Sequence, residues 1–157
     1  MDDLEMMLNS FMVGGEYERN IDKNNRFVIP SELRAELPFS STIRIMRSLS
    51  TSKNKCLYVY SEENWARLCR EFAKTITPDE EGRARVRAFS TSFVAGKVDQ
   101  SGRFTLDKKM REFAEIKDKL VVVSGMYHSE IWAYETWQKE FGENVAPIDL
   151  ADLGVHF

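Results

Sequence analysis

The sequence predicts a mainly β fold with short helices, an α+β chain built from two copies of one small module that close into a single pseudo-twofold β-barrel. Three observations predict it. First, the chain repeats itself. GGEYERNIDKNNRFVIPSELRAEL near the start returns as FVAGKVDQSGRFTLDKKMREFAEI, and at an offset of 77 residues Asp22 falls on Asp99, Arg26 on Arg103, Phe27 on Phe104 and Arg34 on Arg111. Second, apolar and polar residues alternate on either side of turn-forming residues in both copies, which is the period of a strand. Third, each copy is too short to bury much apolar surface alone, so the two are expected to share one core and to remove their sheet edges by closing on each other.

The elements follow in chain order. Residues around Tyr17 to Ile21 alternate, and Arg26-Phe27-Val28-Ile29 is β-branched or aromatic, so both stretches read as strands. Between them lie Asn24-Asn25, matched by Ser101-Gly102 in the second copy, and Asn and Gly accept the positive φ that tight turns demand. After Pro30, Ser31 opens a short helix carrying Leu33 and Leu37 on one face, and Pro38 ends it. Thr42 to Met46 and Leu57 to Tyr60 complete the module as two further strands. In the second copy KLVVVSG and EIWAY take their places, with Leu57-Tyr58 matching Ile131-Trp132, Tyr60 matching Tyr134, and Trp65 answering Trp137 after a shift of two residues.

The connector between the copies reads as helical. Trp65, Leu68, Cys69 and Phe72 follow the i, i+3, i+4, i+7 spacing of a buried face. Thr77-Pro78-Asp79-Glu80 has the pattern of an N-cap, a first-turn proline and a capping-box acid, starting a helix that runs to about Phe89. Asp79 with Arg83 and Glu81 with Arg85 are four apart, so surface pairing accounts for these arginines as readily as contact with a ligand does. The expected organisation is an N-terminal extension over 1–11, a first module over 12–75, a connector helix over 76–90, a second module over 91–142 and an acidic tail over 143–157.

Composition bounds the function. The formal charge is −3, unfavourable at first sight for binding a polyanion. The acids are concentrated at the ends: residues 1–15 hold Asp2, Asp3 and Glu5 without a base, and residues 138–157 hold four acids against Lys139, so residues 16–137 carry +3. A basic body with acidic ends is compatible with DNA. No apolar run is long enough to span a bilayer and the acidic start is unlike a signal peptide, so a cytoplasmic protein is expected. Cys56 and Cys69 lack metal-ligand spacing and read as core thiols. His128 and His156 stand in unlike contexts, and the sequence has no phosphate loop, nucleophile elbow or metal cluster. No catalytic residue, metal or cofactor is expected, and the protein reads as a non-enzyme. Tyr58, Tyr60, Trp132 and Tyr134 alternate along strands and read as core or subunit-interface residues.

The repeated feature with chemistry is Asp-x-x-x-Arg, as Asp22 to Arg26 and Asp99 to Arg103. It places an acid entering and a guanidinium leaving each turn. An arginine fork suits phosphate oxygens or the edge of guanine, and a neighbouring carboxylate can aim it. Spacing alone leaves a second reading open, in which each pair ties its own loop shut or ties one module to the other.

The stretches GEYERNIDKNNRFVIPSELR, VDQSGRFTLDKKMRE, CLYVYSEENW and EIWAYETW resemble the MraZ family, part of the wider AbrB-like group, over about residues 12–140. The resemblance implies two AbrB-like swapped-hairpin half-modules in one barrel with flanking helices, assembled as ring-shaped homo-oligomers. It implies a nucleoid-associated regulator of the division and cell-wall gene cluster, bound to short direct repeats in double-stranded DNA upstream of its own operon. It further implies DNA contacts from Lys23, Asn24, Asn25 and Arg26 in the first turn and from Ser101 and Arg103 in the second, with Asp22 and Asp99 orienting the loops. The family's first motif usually reads Asp-x-Lys-Gly-Arg, whereas this chain has Asp22-Lys23-Asn24-Asn25-Arg26. Asn25 can take the left-handed conformation of that glycine, but the lysine is displaced by one position. The second motif has no lysine, and Asp107 stands where Pro30 does. The first turn is therefore expected to contribute more to DNA than the second, with Lys108, Lys109 and Arg111 read as a solvated helix face that could supplement it. MDDLEMMLNS precedes the usual family start at Phe11-Met12, as an extension or as sequence ahead of a start at Met12. The competing reading is an oligomeric protein-interaction adaptor with the same fold and no specific DNA target.

Overall fold

A computed structural model of the chain describes residues 2–5, 7–8, 14–49, 53–142 and 148–157. Its strands are β1 (Glu16–Asn20), β2 (Arg26–Val28), β3 (Thr42–Arg47), β4 (Leu57–Tyr60), β5 (Phe93–Lys97), β6 (Arg103–Thr105), β7 (Lys119–Ser124) and β8 (Ser129–Ala133). Its α-helices are α1 (Glu62–Ala73), α2 (Glu80–Ser90), α3 (Lys108–Phe113) and α4 (Tyr134–Trp137). The fold is mixed, mostly sheet with short helices, as the periodicity predicts.

All strand pairs are antiparallel, in a six-stranded sheet of order β1-β7-β8-β4-β3-β5 and a two-stranded ribbon β2-β6. The order reads the same from either end once the repeats are exchanged. β1 of the first repeat lies on β7 of the second, with Glu18 opposite Val121, and β5 of the second lies on β3 of the first, with Arg44 opposite Ala95. Each repeat thus lends its first strand to the other repeat's half of the sheet. The β4–β8 pair joins the halves at the centre.

The expected closure into one barrel is not present in the hydrogen bonding of the described residues. The six-stranded sheet ends at β1 and β5, and the ribbon stands apart. β2 and β6 are three residues long because each is bounded on one side by its turn. On the other side, β2 runs into Pro30, which has no N–H to extend a ladder, and β6 runs into the helix cap at Asp107. What unites the two sheets is their core. Phe27 and Phe104, opposite each other on the ribbon, point inward and meet edge to face at 6.4 Å, packed with Ile43, Ile45, Leu57, Leu120 and Ile131 of the large sheet. Gly96 on β5 makes room for this, since a Cβ there would lie 2.7 Å from the Phe104 ring.

The two repeats diverge after the ribbon, for a local reason. Asp107 accepts hydrogen bonds from the N–H groups of Lys109 (2.9 Å) and Met110 (3.4 Å), and α3 forms behind this cap. Pro30 offers no such acceptor, and Ser31 does not cap. The expected first-copy helix is therefore only a 3-10 turn, Ser31–Leu33, although Leu33 and Leu37 are buried as expected.

Four further expectations need correction. The cap of α2 is Asp79 rather than Thr77: its Oδ1 accepts the Gly82 N–H at 2.9 Å, and the Thr77 hydroxyl donates to that same oxygen at 2.6 Å. The carboxylate is the stronger acceptor, so the helix starts two residues later. Asp79 is then not the partner of Arg83, which pairs with Glu80, as does Arg87, while the Arg85–Glu81 pair forms at 2.6 Å. Tyr134 is not a strand residue but opens α4. Cys56 is buried, whereas Cys69 on α1 is only half-buried. The junction at Phe11-Met12 lies outside the described residues, as do residues 143–147 at the start of the acidic tail. The end of the tail forms a single 3-10 turn, Ala151–Leu153.

Candidate nucleic-acid interface

The two Asp-x-x-x-Arg motifs form nearly superposable turns. In the first, the Asp22 N–H donates to the Arg26 carbonyl (2.8 Å) and the Asn25 N–H to the Asp22 carbonyl (3.0 Å), with Asn25 at φ 61°. In the second, Asp99 and Arg103 are joined at 2.9 Å, Gly102 and Asp99 at 3.0 Å, and Gly102 has φ 76°. The carboxylates complete the turns from inside. Asp22 Oδ1 accepts the N–H groups of Asn24 and Arg26, both at 2.9 Å, and Asp99 Oδ1 accepts those of Ser101 and Arg103, both at 2.8 Å. The Arg26 N–H foremost draws the Asp22 carboxyl below its ordinary value.

These backbone donors are spent on the carboxylates, so an approaching anion would meet side chains. Arg26 gives its Nε to Asp22 Oδ2 at 3.1 Å, which fixes the plane of the fork, and its terminal nitrogens have no protein partner among the described residues. Its side chain is 40% exposed. Arg103 has no side-chain partner among the described residues and is half-buried, while Lys23, Asn24 and Ser101 are exposed.

The ribbon places both arginines on one surface. Arg26 lies opposite Thr105 and Val28 opposite Arg103. Positions opposite each other share a face, as do positions two apart along a strand. Arg26, Val28, Arg103 and Thr105 therefore form the outer face, with Phe27 and Phe104 inward. The two arginine positions are diagonal neighbours, about 7–8 Å apart at the backbone in a regular ladder.

Each turn is also gripped by the other repeat. The Ile29 N–H donates to the Gly102 carbonyl (2.8 Å) and the Leu106 N–H to the Asn25 carbonyl (2.7 Å). Arg34 donates through Nη2 to the Ser101 carbonyl at 2.9 Å, and Arg111 donates through Nη1 to Asn25 Oδ1. Arg111 also holds the Ile116 carbonyl through Nε at 3.1 Å. The solvated reading of Arg111 is thus corrected: it is a half-buried brace, because its guanidinium reaches a carbonyl and an amide oxygen together. Sequence reasoning aligned Arg34 with Arg111 but gave the two no shared role. Their coincidence across the repeat, each eight residues beyond the motif's arginine, was the available signal.

The remaining candidates fall outside this face. The arginines of α2 are engaged with Glu80 and Glu81. His128 stacks on Tyr58 at 4.1 Å and lies 5.1 Å from Tyr60, and burial lowers its pKa, so it is a packing residue. Among the described residues no group of acids, histidines and cysteines could hold a metal ion, and no helix is long and apolar enough to cross a membrane.

Comparison with known proteins places the chain in a family. Residues 12–86 match the family described as "MraZ protein, putative antitoxin-like". A protein of Clostridium tetani named transcriptional regulator MraZ is 30% identical over 138 residues, covering 88% of this chain and 93% of its own length. Proteins of the same name from Caldicellulosiruptor saccharolyticus and Ligilactobacillus salivarius are 28% and 29% identical over 149 residues each, covering 92% and 88% of this chain and the whole of their own.

Proposed function

Because the chain belongs to the MraZ family, whose compared members are named transcriptional regulators, we propose that it is a sequence-specific DNA-binding transcriptional regulator and not an enzyme. Its target is double-stranded DNA carrying short direct repeats upstream of its own operon, in the division and cell-wall gene cluster. It acts in the cytoplasm, at the nucleoid.

The observation that carries this reading is the outer face of the β2–β6 ribbon, where Arg26 and Arg103 stand side by side with half-exposed guanidiniums. Lys23, Asn24, Asn25 and Ser101 flank them on the two turns, and Asp22 and Asp99 hold the turns in shape. A planar fork with free terminal nitrogens can take a phosphate or the O6/N7 edge of guanine. Lys23 and the Asp22-aimed Arg26 make the first turn the stronger contact.

One such face contributes few phosphate contacts, and the acidic ends oppose a polyanion. The protein therefore acts as a ring-shaped homo-oligomer, in which several faces meet successive repeats and each bound face raises the effective concentration of the next. The strand exchange between residues 12–75 and 91–142 supports reading the two sheets as the walls of a pseudo-twofold, swapped-hairpin barrel around one core.

The test is Arg26→Ala in a gel shift with the DNA upstream of the gene. Affinity is expected to fall by about tenfold or more, the order of a lost arginine–guanine or arginine–phosphate contact, with the oligomer unchanged in size. Undiminished affinity, or no preference over competitor DNA, would instead favour an oligomeric protein-interaction adaptor.

A further inference from the structure

We propose that the groove between β3, α1, α2 and α3 is a docking site for the C-terminal tail of a second copy of this chain. This rests on the self-association reading above and names the contact that would hold neighbouring copies together.

The groove has a volume of about 700 Å³. Its floor is aromatic. Phe72 of α1 and Phe89 of α2 stack at 4.3 Å, and Phe113 closes the far side from α3. Its rim is cationic: Arg47, Lys55 and Arg85 line it, and among the described residues no carboxylate does. Arg85 shares its charge with Glu81, but Arg47 and Lys55 lie over the Phe113 ring, at 5.9 and 5.5 Å from its centre, with no acid paired to either among the described residues.

The tail has the complementary chemistry. Residues 148–157 read IDLADLGVHF, with two acids and neither Lys nor Arg. Asp149 Oδ1 accepts the Ala151 N–H at 3.0 Å and organises the 3-10 turn, yet the apolar side chains stay in solvent: Ile148 is 73% exposed, Leu153 66% and Phe157 92%. In its own chain this segment does not fill the groove. Exposed Leu153 and Phe157 beside Asp149 and Asp152 fit an aromatic floor rimmed by cations held over a ring, with apolar area supplying affinity and the charges supplying register.

The test uses the full chain and the synthetic peptide of residues 148–157. Sedimentation velocity is compared for the unaltered protein, Phe157→Ala with Leu153→Ala, and Lys55→Glu. Smaller assemblies are expected for both altered proteins, with circular dichroism unchanged, because all three positions are exposed and outside the core. The labelled peptide is expected to bind the tail-altered protein and to bind the same protein carrying Lys55→Glu at least about tenfold more weakly. Asp152→Lys combined with Lys55→Glu should regain part of the loss. A wild-type protein that sediments as a monomer would remove the self-association reading itself. A wild-type oligomer whose size survives the tail and rim substitutions, with no peptide binding, would overturn the docking site and leave that reading standing. Peptide binding with a monomeric full-length wild type would place the tail in its own groove and also overturn the proposal.

Discussion

Arg111 of the second repeat donates a hydrogen bond to the side-chain oxygen of Asn25 in the first repeat's turn, while Arg34 of the first repeat holds the Ser101 carbonyl in the second repeat's turn. The two Asp-x-x-x-Arg turns are therefore each finished by the opposite half of the chain. Neither repeat can present its Asp-x-x-x-Arg loop in this form alone.

Removing one brace should loosen one turn more than it unfolds the protein. Arg111→Ala deletes the bonds to Asn25 and to the Ile116 carbonyl, and it is expected to cost about 1–2 kcal/mol of stability. Arg111→Lys keeps the charge but not the fork, and should recover only part of that. Urea denaturation measures the loss. Amide exchange at Asn24 and Asn25, faster in both variants, would localise it to the first turn, and equal exchange there would refute the brace.

Gly102 marks the other brace. Its φ of 76° is unfavourable for a residue with a side chain, and a Cβ would stand 1.3 Å from Arg34 Nη2. Gly102→Ala is thus expected to cost about 1–2 kcal/mol, from backbone conformation plus displacement of the guanidinium from the Ser101 carbonyl. Asn25→Gly, at the equivalent turn position, should relieve backbone strain but lose the Arg111 contact, so its net effect should be smaller than that of Gly102→Ala. Thermal midpoints of the two variants decide this, and a larger drop for Asn25→Gly would count against the account.

How much of this was legible in the sequence follows from the range of each interaction. Alternation and turn residues are local, so the strands and the positive φ of Asn25 and Gly102 could be read directly. So could the burial of Leu33 and Leu37, which depends on spacing alone. The choice between Thr77 and Asp79 as a cap was not legible, because both oxygens are within reach and the stronger acceptor wins only when the chain brings them together. The same holds for Pro30 and Asp107, whose difference turns a 3-10 turn into a helix. Arg34 and Arg111 act across 67 and 86 residues of chain, and what they touch depends on the strand exchange. Closure into a barrel was not legible, because it depends on how the β2–β6 ribbon meets the large sheet, and the strand ladders of the described residues do not join the two.

The two thiols should separate by reactivity. Burial, reinforced by the nearby Glu130 carboxylate, pushes Cys56 from 9.0 up to about 12, whereas Cys69 is half-exposed on α1. At pH 8 the thiolate fraction of Cys56 is then roughly three orders of magnitude below that of an ordinary cysteine. Iodoacetamide is expected to modify one thiol in the native protein and both in urea, and Cys69→Ser should leave the native protein unmodified. Rapid modification of the native Cys69→Ser protein would show Cys56 to be accessible.

Stability should decline as pH falls through the range where a free histidine takes up its proton. Burial foremost lowers the His128 pKa below 6.5, where the ring lies between Tyr58 and Tyr60 and the Arg67 charge adds to the effect. Between the folded value and 6.5 the unfolded chain binds the proton and the native protein does not. Each step down in pH across that window therefore favours unfolding, by at most about 1.4 kcal/mol per pH unit for one site. Glu130, raised above 4.5 by its own burial, works in the opposite sense, since the native state takes up its proton first and gains stability as pH falls toward 4.5. Comparing His128→Phe with the unaltered protein separates the two, because the phenyl ring keeps the aromatic stack while Glu130 is common to both. From pH 7.5 to 5.5 the urea midpoint should fall further, or rise less, for the unaltered protein than for His128→Phe. Identical pH dependence in the two proteins would mean that His128 is protonated as readily in the folded chain as in the unfolded one.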